Sequence, residues 1–279
     1  ASAPRPLVIF IHGGGWRKGD KQLIPGNLDP AMFLKNGISF ASINYRLTGH
    51  LSADNTTRIT LPAPIDDAIR AIKFIKHHAD DWNIDADRIA LTGMSAGAAT
   101  AMYIIWGDNQ DFAIPDAEDL IERESTTVRA AAILCGQATI DPFELNTLLG
   151  PGAAEHKMIY TAIGEEAYRD MMRNYDQHKD LLYEYSPINH IGRRTSDPAP
   201  LYMEYMDWTP TPCPCEYGEA GNCLHTPEQE ECIHHPMFGR KIKERCEEHE
   251  GVICYLKVGK TTGAPFGRTL DFLLAHLRP

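Results

Sequence analysis

The pentapeptide Gly93-Met94-Ser95-Ala96-Gly97 limits the folds open to this chain more than any other feature. It follows a short β-branched apolar run, Arg88 to Thr92, and precedes an alanine-rich stretch, Ala98 to Trp106, with the character of a helix. A strand that turns into a helix within five residues brings two backbones closer than side chains allow, which explains a glycine at each end of the corner. Such a corner holds Ser95 Oγ at the edge of a sheet and sets the Ala96 N–H at a helix N-terminus, where amide donors are unpaired. The same five residues in a loose Gly/Ser-rich turn would carry no chemistry. The strand on one side and the helix on the other select the corner.

Runs of the same kind recur along the chain. Pro6 to His12 (PLVIFIH) and Ile38 to Tyr45 (ISFASINY) predict buried strands, as do Val128 to Gly136, Pro200 to Met206 and Gly251 to Val258. From 63 to 80, Ile65, Ala68, Ile69, Ala71, Ile72 and Ile75 recur at helical spacing along one face, and Phe266 to Leu277 closes the chain as a helix. The alternation predicts an α/β fold: a mostly parallel central sheet covered by helices on both faces. The 279 residues are read as one domain, the usual outcome for an α/β fold of this size. Within it, 137–190 loses the strand pattern and turns helical, charged and tyrosine-rich, as a cap over the sheet's carboxyl edge would. The segment 209–235, rich in Cys, Pro, Glu and Gly, is a long late excursion of the kind that is commonly functional or stapled. The first strand begins within the first ten residues, so either the sheet lacks an edge usual for such folds or the chain is a fragment.

After that strand comes His12-Gly13-Gly14-Gly15-Trp16. Three glycines let the backbone bend until its N–H groups converge on one spot, where a carbonyl oxygen turned negative by attack would be held. A phosphate-binding loop is the competing reading, but no G-x-G-x-x-G and no Lys-Ser/Thr pair follow, so no cofactor is expected. The glycine run and the serine corner, in this order and at this separation, resemble the carboxylesterase/lipase-like α/β-hydrolases, most nearly the bacterial carbohydrate acetyl and feruloyl esterases. Asn44-Tyr45-Arg46-Leu47, Asp66/Asp67 and Ile84 to Ala90 fit the same pattern, which is specific from about residue 6 to 101. The resemblance implies a serine esterase in which the Gly14, Gly15 and Ala96 amides form an oxyanion hole around a small-molecule or glycan ester, acetyl or aryl. Asp66 and Asp67 read as caps of a helix start, and Asp85 and Asp87 as turn residues. Trp16 and Trp208 are candidates for lining a substrate cleft, against ordinary packing.

The resemblance also implies a triad acid after the late strand and a histidine after the last one. Asp207 follows the strand at Pro200 to Met206 directly, with Glu216 and Glu219 further on. After the last strand, 258–265 holds no histidine, and His276 lies too far along the closing helix. A serine hydroxyl without a base is a poor nucleophile. Two readings remain open. Either the base has moved to His234 or His235, in Ile233-His234-His235-Pro236 ahead of a helix, or the chain is an impaired relative that binds without turnover.

Six of seven cysteines crowd into 213–254, while Cys135 stands alone. Cys213, Cys215, Cys223, His225, Cys232, His234 and His235 would supply zinc ligands, but the irregular spacing matches no repeated C-x2-C pair. Disulfides are the better expectation, no metal site is assigned, and Cys213 and Cys215 are too close to bridge each other. Disulfides favour a secreted or periplasmic protein, with the cytoplasm as the alternative. No leader is visible, although Ala1-Ser2-Ala3-Pro4 is compatible with a trimmed edge. A net charge of −11 argues against nucleic acid as a partner, and no apolar run reaches the length of a membrane span. The oligomeric state is not legible.

Overall fold

The computed structural model describes residues 3–107, 112–193, 198–207, 232–260 and 265–278, with the backbone of 216–217 and 223–224. Six strands form one sheet: β1 (Arg5–Ile11), β2 (Ser39–Ile43), β3 (Ile84–Met94), β4 (Ala130–Leu134), β5 (Leu201–Tyr205) and β8 (Cys254–Val258), in the order β2-β1-β3-β4-β5-β8. Every pairing is parallel. The short strands β6 (Glu216–Tyr217) and β7 (Cys223–Leu224) pair separately as an antiparallel ladder.

Both faces of the sheet are covered, and β1 shows why a parallel strand reads as one apolar run. Its alternate residues Leu7, Ile9 and Ile11 enter one core, and Val8 and Phe10 enter the other. The first core packs under α2 (Ala63–His77), through Ile65, Ile69 and Ile72, and under α3 (Ala96–Trp106), which is buried along its whole length. The second packs under α1 (Pro30–Leu34), through Phe33, and under the closing helix, α10 (Thr269–Leu277). Between β4 and β5 the chain is helical: α4 (Pro142–Leu149), α5 (Pro151–Ala154), α6 (Lys157–Ala162), α7 (Tyr168–Arg173) and α8 (Tyr175–Glu184). Helix α9 (Met237–Glu247) packs on the first core through Phe238 and Ile242 and is tied to β8 by the Cys246–Cys254 disulfide. Cys213, Cys215, His225, Glu219, the side chains of Cys223 and Glu216, and all of Trp208 lie outside the described residues. Among the described residues, no helix is long and apolar enough to cross a membrane.

Two sequence expectations are corrected here. Asp66 and Asp67 do not cap α2, whose N-cap position is Pro62 with no side-chain bond. Asp67 instead grips Arg46, accepting from its backbone N–H and from Nε and Nη2 at 2.8–3.1 Å, which fastens the segment after β2 to the helix. Asp85 and Asp87, read as turn residues, lie within β3 instead, where the pairing with β1 is irregular between Ile84 and Ile89; Asp85 accepts there from the Asp87 N–H and from Arg88 Nε.

The corner after β3 depends on backbone contact. A methyl group on Gly97 would collide with the carbonyls of Ile11 and His12, and one on Gly93 would lie 2.5 Å from the Gly97 carbonyl oxygen. A Gly97→Val substitution is therefore expected to lower the unfolding free energy by about 3 kcal/mol or more, measured by urea denaturation.

Candidate active site

Because all six strands run parallel, their carboxyl ends meet at one edge, where ligands bind in open α/β sheets. The glycine loop leaves β1 there, Ser95 leaves β3, Gln137 follows β4 and Asp207 follows β5.

Ser95 has φ 53° and ψ −122°, a conformation that costs a non-glycine residue free energy and recurs at functional corners. Its backbone is held in place by neighbours. The Ser95 N–H donates to the Leu134 carbonyl at 2.9 Å, continuing the ladder to β4, and its carbonyl accepts from Ala99 N–H in the first turn of α3. The side chain faces an imidazole: His234 Nε2 lies 2.8 Å from Ser95 Oγ, within hydrogen-bond distance.

The glycine loop closes the other side. A Cβ built on Gly13 would stand 3.2 Å from Ser95 Cβ, which places the loop against the serine. Gly14 accepts from the Arg17 and Lys18 N–H groups in a tight turn, with φ 104°. His12 and Tyr45 lock the loop's entry. Their rings stack with centroids 4.2 Å apart, and the Tyr45 hydroxyl donates to the carbonyls of His12 (2.8 Å) and Gly13 (3.2 Å). His12 Nδ1–H donates to the Gly13 carbonyl at 2.8 Å. Burial pushes the Tyr45 hydroxyl pKa up and the His12 pKa down.

The sequence candidates separate accordingly. His234 meets the serine, whereas His235 does not: it is buried, and its Nδ1 accepts from the Met237 N–H at the start of α9. Its pKa is lowered by burial and by nearby Arg240. Trp16 is corrected as well. It is fully buried, with Nε1 donating to Thr100 Oγ1 at 2.9 Å, so it packs the core and offers no face to a ligand. Asp207 stands exposed where β5 ends, with its side chain against Gly259 at the end of β8. Among the described residues no hydrogen bond joins it to His234.

Two contributors escaped the sequence reading. Gln137 is fully buried, and its Nε2 donates to the Ile233 carbonyl at 2.6 Å, which anchors the chain one residue before His234. A lone amide at the end of the apolar run AAAILCG was the available signal. Tyr45 stood inside a quoted motif, but its grip on the loop needed the fold.

The chain that carries this arrangement resembles known proteins in sequence and in fold. The sequence profile described as BD-FAE matches residues 1–203. The chain belongs to this family of α/β-hydrolases. This BD-FAE chain is 33% identical over 102 residues to juvenile hormone esterase of Heliothis virescens, covering 35% of the chain and 17% of that protein. It is 31% identical over 133 residues to the probable carboxylic ester hydrolase LipM of Mycobacterium tuberculosis, covering 47% of the chain and 27% of the relative. The matched stretch therefore spans about a quarter or less of these curated relatives. In fold it is similar to the acetyl ester-xyloside bifunctional hydrolase of Caldicellulosiruptor lactoaceticus, with a TM-score of 0.61 and 19% identity over 93% of the chain and 74% of that structure. It is also similar to the Thermogutta terrifontis esterase Est2 with propionate bound, with a TM-score of 0.55 and 18% identity over 98% of the chain and 81% of that structure.

The buried imidazoles set a pH dependence. His12 and His235 are held below the ordinary histidine value of 6.5, so between that value and their folded ones the unfolded chain binds more protons. Stability present above 6.5 is then lost as pH falls through the lowered values. Urea midpoints are expected to be lower at about pH 5 than at about pH 7.5.

Proposed function

We propose that the protein is a serine esterase that hydrolyses a small carboxylic ester through an acyl-enzyme. The observation that carries this reading is the 2.8 Å contact between His234 Nε2 and Ser95 Oγ. It favours turnover over the binding-only alternative, because it supplies the base missing from the end of β8.

Ser95 Oγ attacks the ester carbonyl carbon while its proton passes to His234 Nε2, and the carbonyl π pair moves onto oxygen. The Gly14, Gly15 and Ala96 amides receive that oxyanion, each such donor contributing about 3–4 kcal/mol in the transition state. Collapse breaks the bond to the alcohol, which leaves with the proton from His234. Water then adds to the acyl-enzyme, giving its proton to the same nitrogen, and the carboxylic acid departs as Ser95 is restored. Asp207, at the same sheet edge, is the acid proposed to orient the imidazole, since such contacts often tighten only with substrate bound. The family resemblance and the esterases among its relatives support ester substrates. A glycan-linked acetyl or aryl ester is the class proposed, in keeping with the xyloside-active fold neighbour. The Cys246–Cys254 disulfide supports residence in an oxidising, extracytoplasmic compartment.

A fluorophosphonate probe is expected to label the wild type at one site and the Ser95→Ala variant not at all. With 4-nitrophenyl acetate, His234→Ala should lower kcat by about ten-thousandfold, while His235→Ala should act on stability. An Asp207→Asn loss of more than about tenfold would support its assigned role, and unchanged turnover would assign that role elsewhere.

A further inference from the structure

The stretch that follows β4 is held from several sides. Leu134 takes the Ser95 N–H on its carbonyl, and Cys135, with φ 49°, donates its own N–H to the Glu204 carbonyl at 2.9 Å. The Gly136 carbonyl accepts from the Tyr205 hydroxyl at 2.5 Å. A methyl group on Gly136 would stand 2.9 Å from both Ala98 Cβ and Met102 Cε, so the stretch is pressed on α3, the helix whose N-cap is Ser95. Position 137 therefore sits on a support shared with the serine.

From that support Gln137 reaches across 96 positions of sequence to one turn. Its Nε2 donates to the Ile233 carbonyl at 2.6 Å and lies 3.5 Å from the Cys135 carbonyl, and two acceptors on one side fix which end of the amide faces them. The turn that receives the bond is stiff. Cys232 and Ile233 are buried in the first core, the His235 N–H returns to the Cys232 carbonyl at 3.1 Å, and the His235 carbonyl accepts from the Phe238 N–H in α9. A shift at Ile233 therefore moves His234 with it.

The other half of the amide shows that packing alone does not account for this residue. Gln137 is fully buried, and its Oε1 has no hydrogen-bond partner among the described residues. Burying an unmatched amide oxygen costs stability. Methionine, of nearly the same length and volume, would fill the space without that cost. What methionine lacks is the donor to Ile233.

We propose that Gln137 is a positioning residue for the reaction: by holding the Ile233 carbonyl, it keeps His234 Nε2 within proton-transfer reach of Ser95 Oγ. The inference rests on the esterase reading and adds to it how a base carried ahead of α9, rather than at the end of β8, is kept on the serine. Gln137 touches no reacting atom. Proton transfer depends steeply on the placement of the base, so loss of this bond acts on kcat and leaves ester binding in place.

Three measurements test it. With 4-nitrophenyl acetate, Gln137→Met should lower kcat by about a hundredfold while KM stays within about twofold, with a urea midpoint close to the wild type. Gln137→Asn, which keeps an amide one methylene too short, should lose kcat in the same way and takes the place of the methionine variant if that one does not fold. On a His234→Ala background, Gln137→Met should cost nothing further, since a residue that acts only through the imidazole has nothing left to position. Unchanged kcat in both variants, or an equal loss with and without His234, overturns the proposal. The third measurement needs no turnover. In ring-nitrogen NMR spectra the His234 imidazole, identified by its absence in His234→Ala, should shift on Ser95→Ala in the wild type but not in the Gln137→Met background. If no ester is hydrolysed and that shift disappears with Gln137, the positioning role stands and the esterase reading falls; a shift that persists overturns the role.

Discussion

Where α3 leaves the sheet, the backbone of Gly97 presses on the carbonyls of Ile11 and His12, and everything at the carboxyl edge takes its position from that approach. The contact brings the end of β1 beside the start of α3. It thereby sets the glycine loop against Ser95 and brings the N-terminus of a fully buried helix to the same edge. Ser95 endures a left-handed backbone because it is bonded on both sides, to Leu134 and to Ala99. The cost of that conformation is offset by the sheet and the helix that hold it on both sides.

The imidazole proposed as the base comes from an unexpected part of the chain. His234 stands ahead of α9, a helix that packs on the core through Phe238 and Ile242 and is stapled to β8 by Cys246–Cys254. The end of β8 therefore has no imidazole to carry, and Gly259 there bonds back to the Tyr205 carbonyl while packing on Asp207. His235, next to the base, has its ring turned to the Met237 N–H. One histidine of the pair is thus occupied by structure, and the other is left to face the serine.

Much of this was legible before any coordinates. Strand and helix alternation and the serine corner are local matters of sterics and periodicity, so β1, α2 and α3 emerge near their predicted bounds, while β3 begins four residues before the apolar run Arg88 to Thr92 that announced it. The histidine was narrowed to a pair by its place ahead of a helix beside the late loop, but adjacent residues point in different directions and only the fold separates them. Trp16 and Asp67 were misjudged for one reason. Whether a tryptophan is covered, or a carboxylate finds an arginine in another segment, depends on contacts between distant parts of the chain. Gln137 was missed because a single amide makes no pattern.

The Gln137 bond to the Ile233 carbonyl has a mechanical consequence when set beside the Ser95 bond to Leu134. Hydroxyl and imidazole are both gauged from one short stretch of polypeptide, residues 134 to 137. A displacement of that stretch moves both groups together, so their separation changes less than either position does. Two side chains 139 positions apart in sequence thus share one anchor.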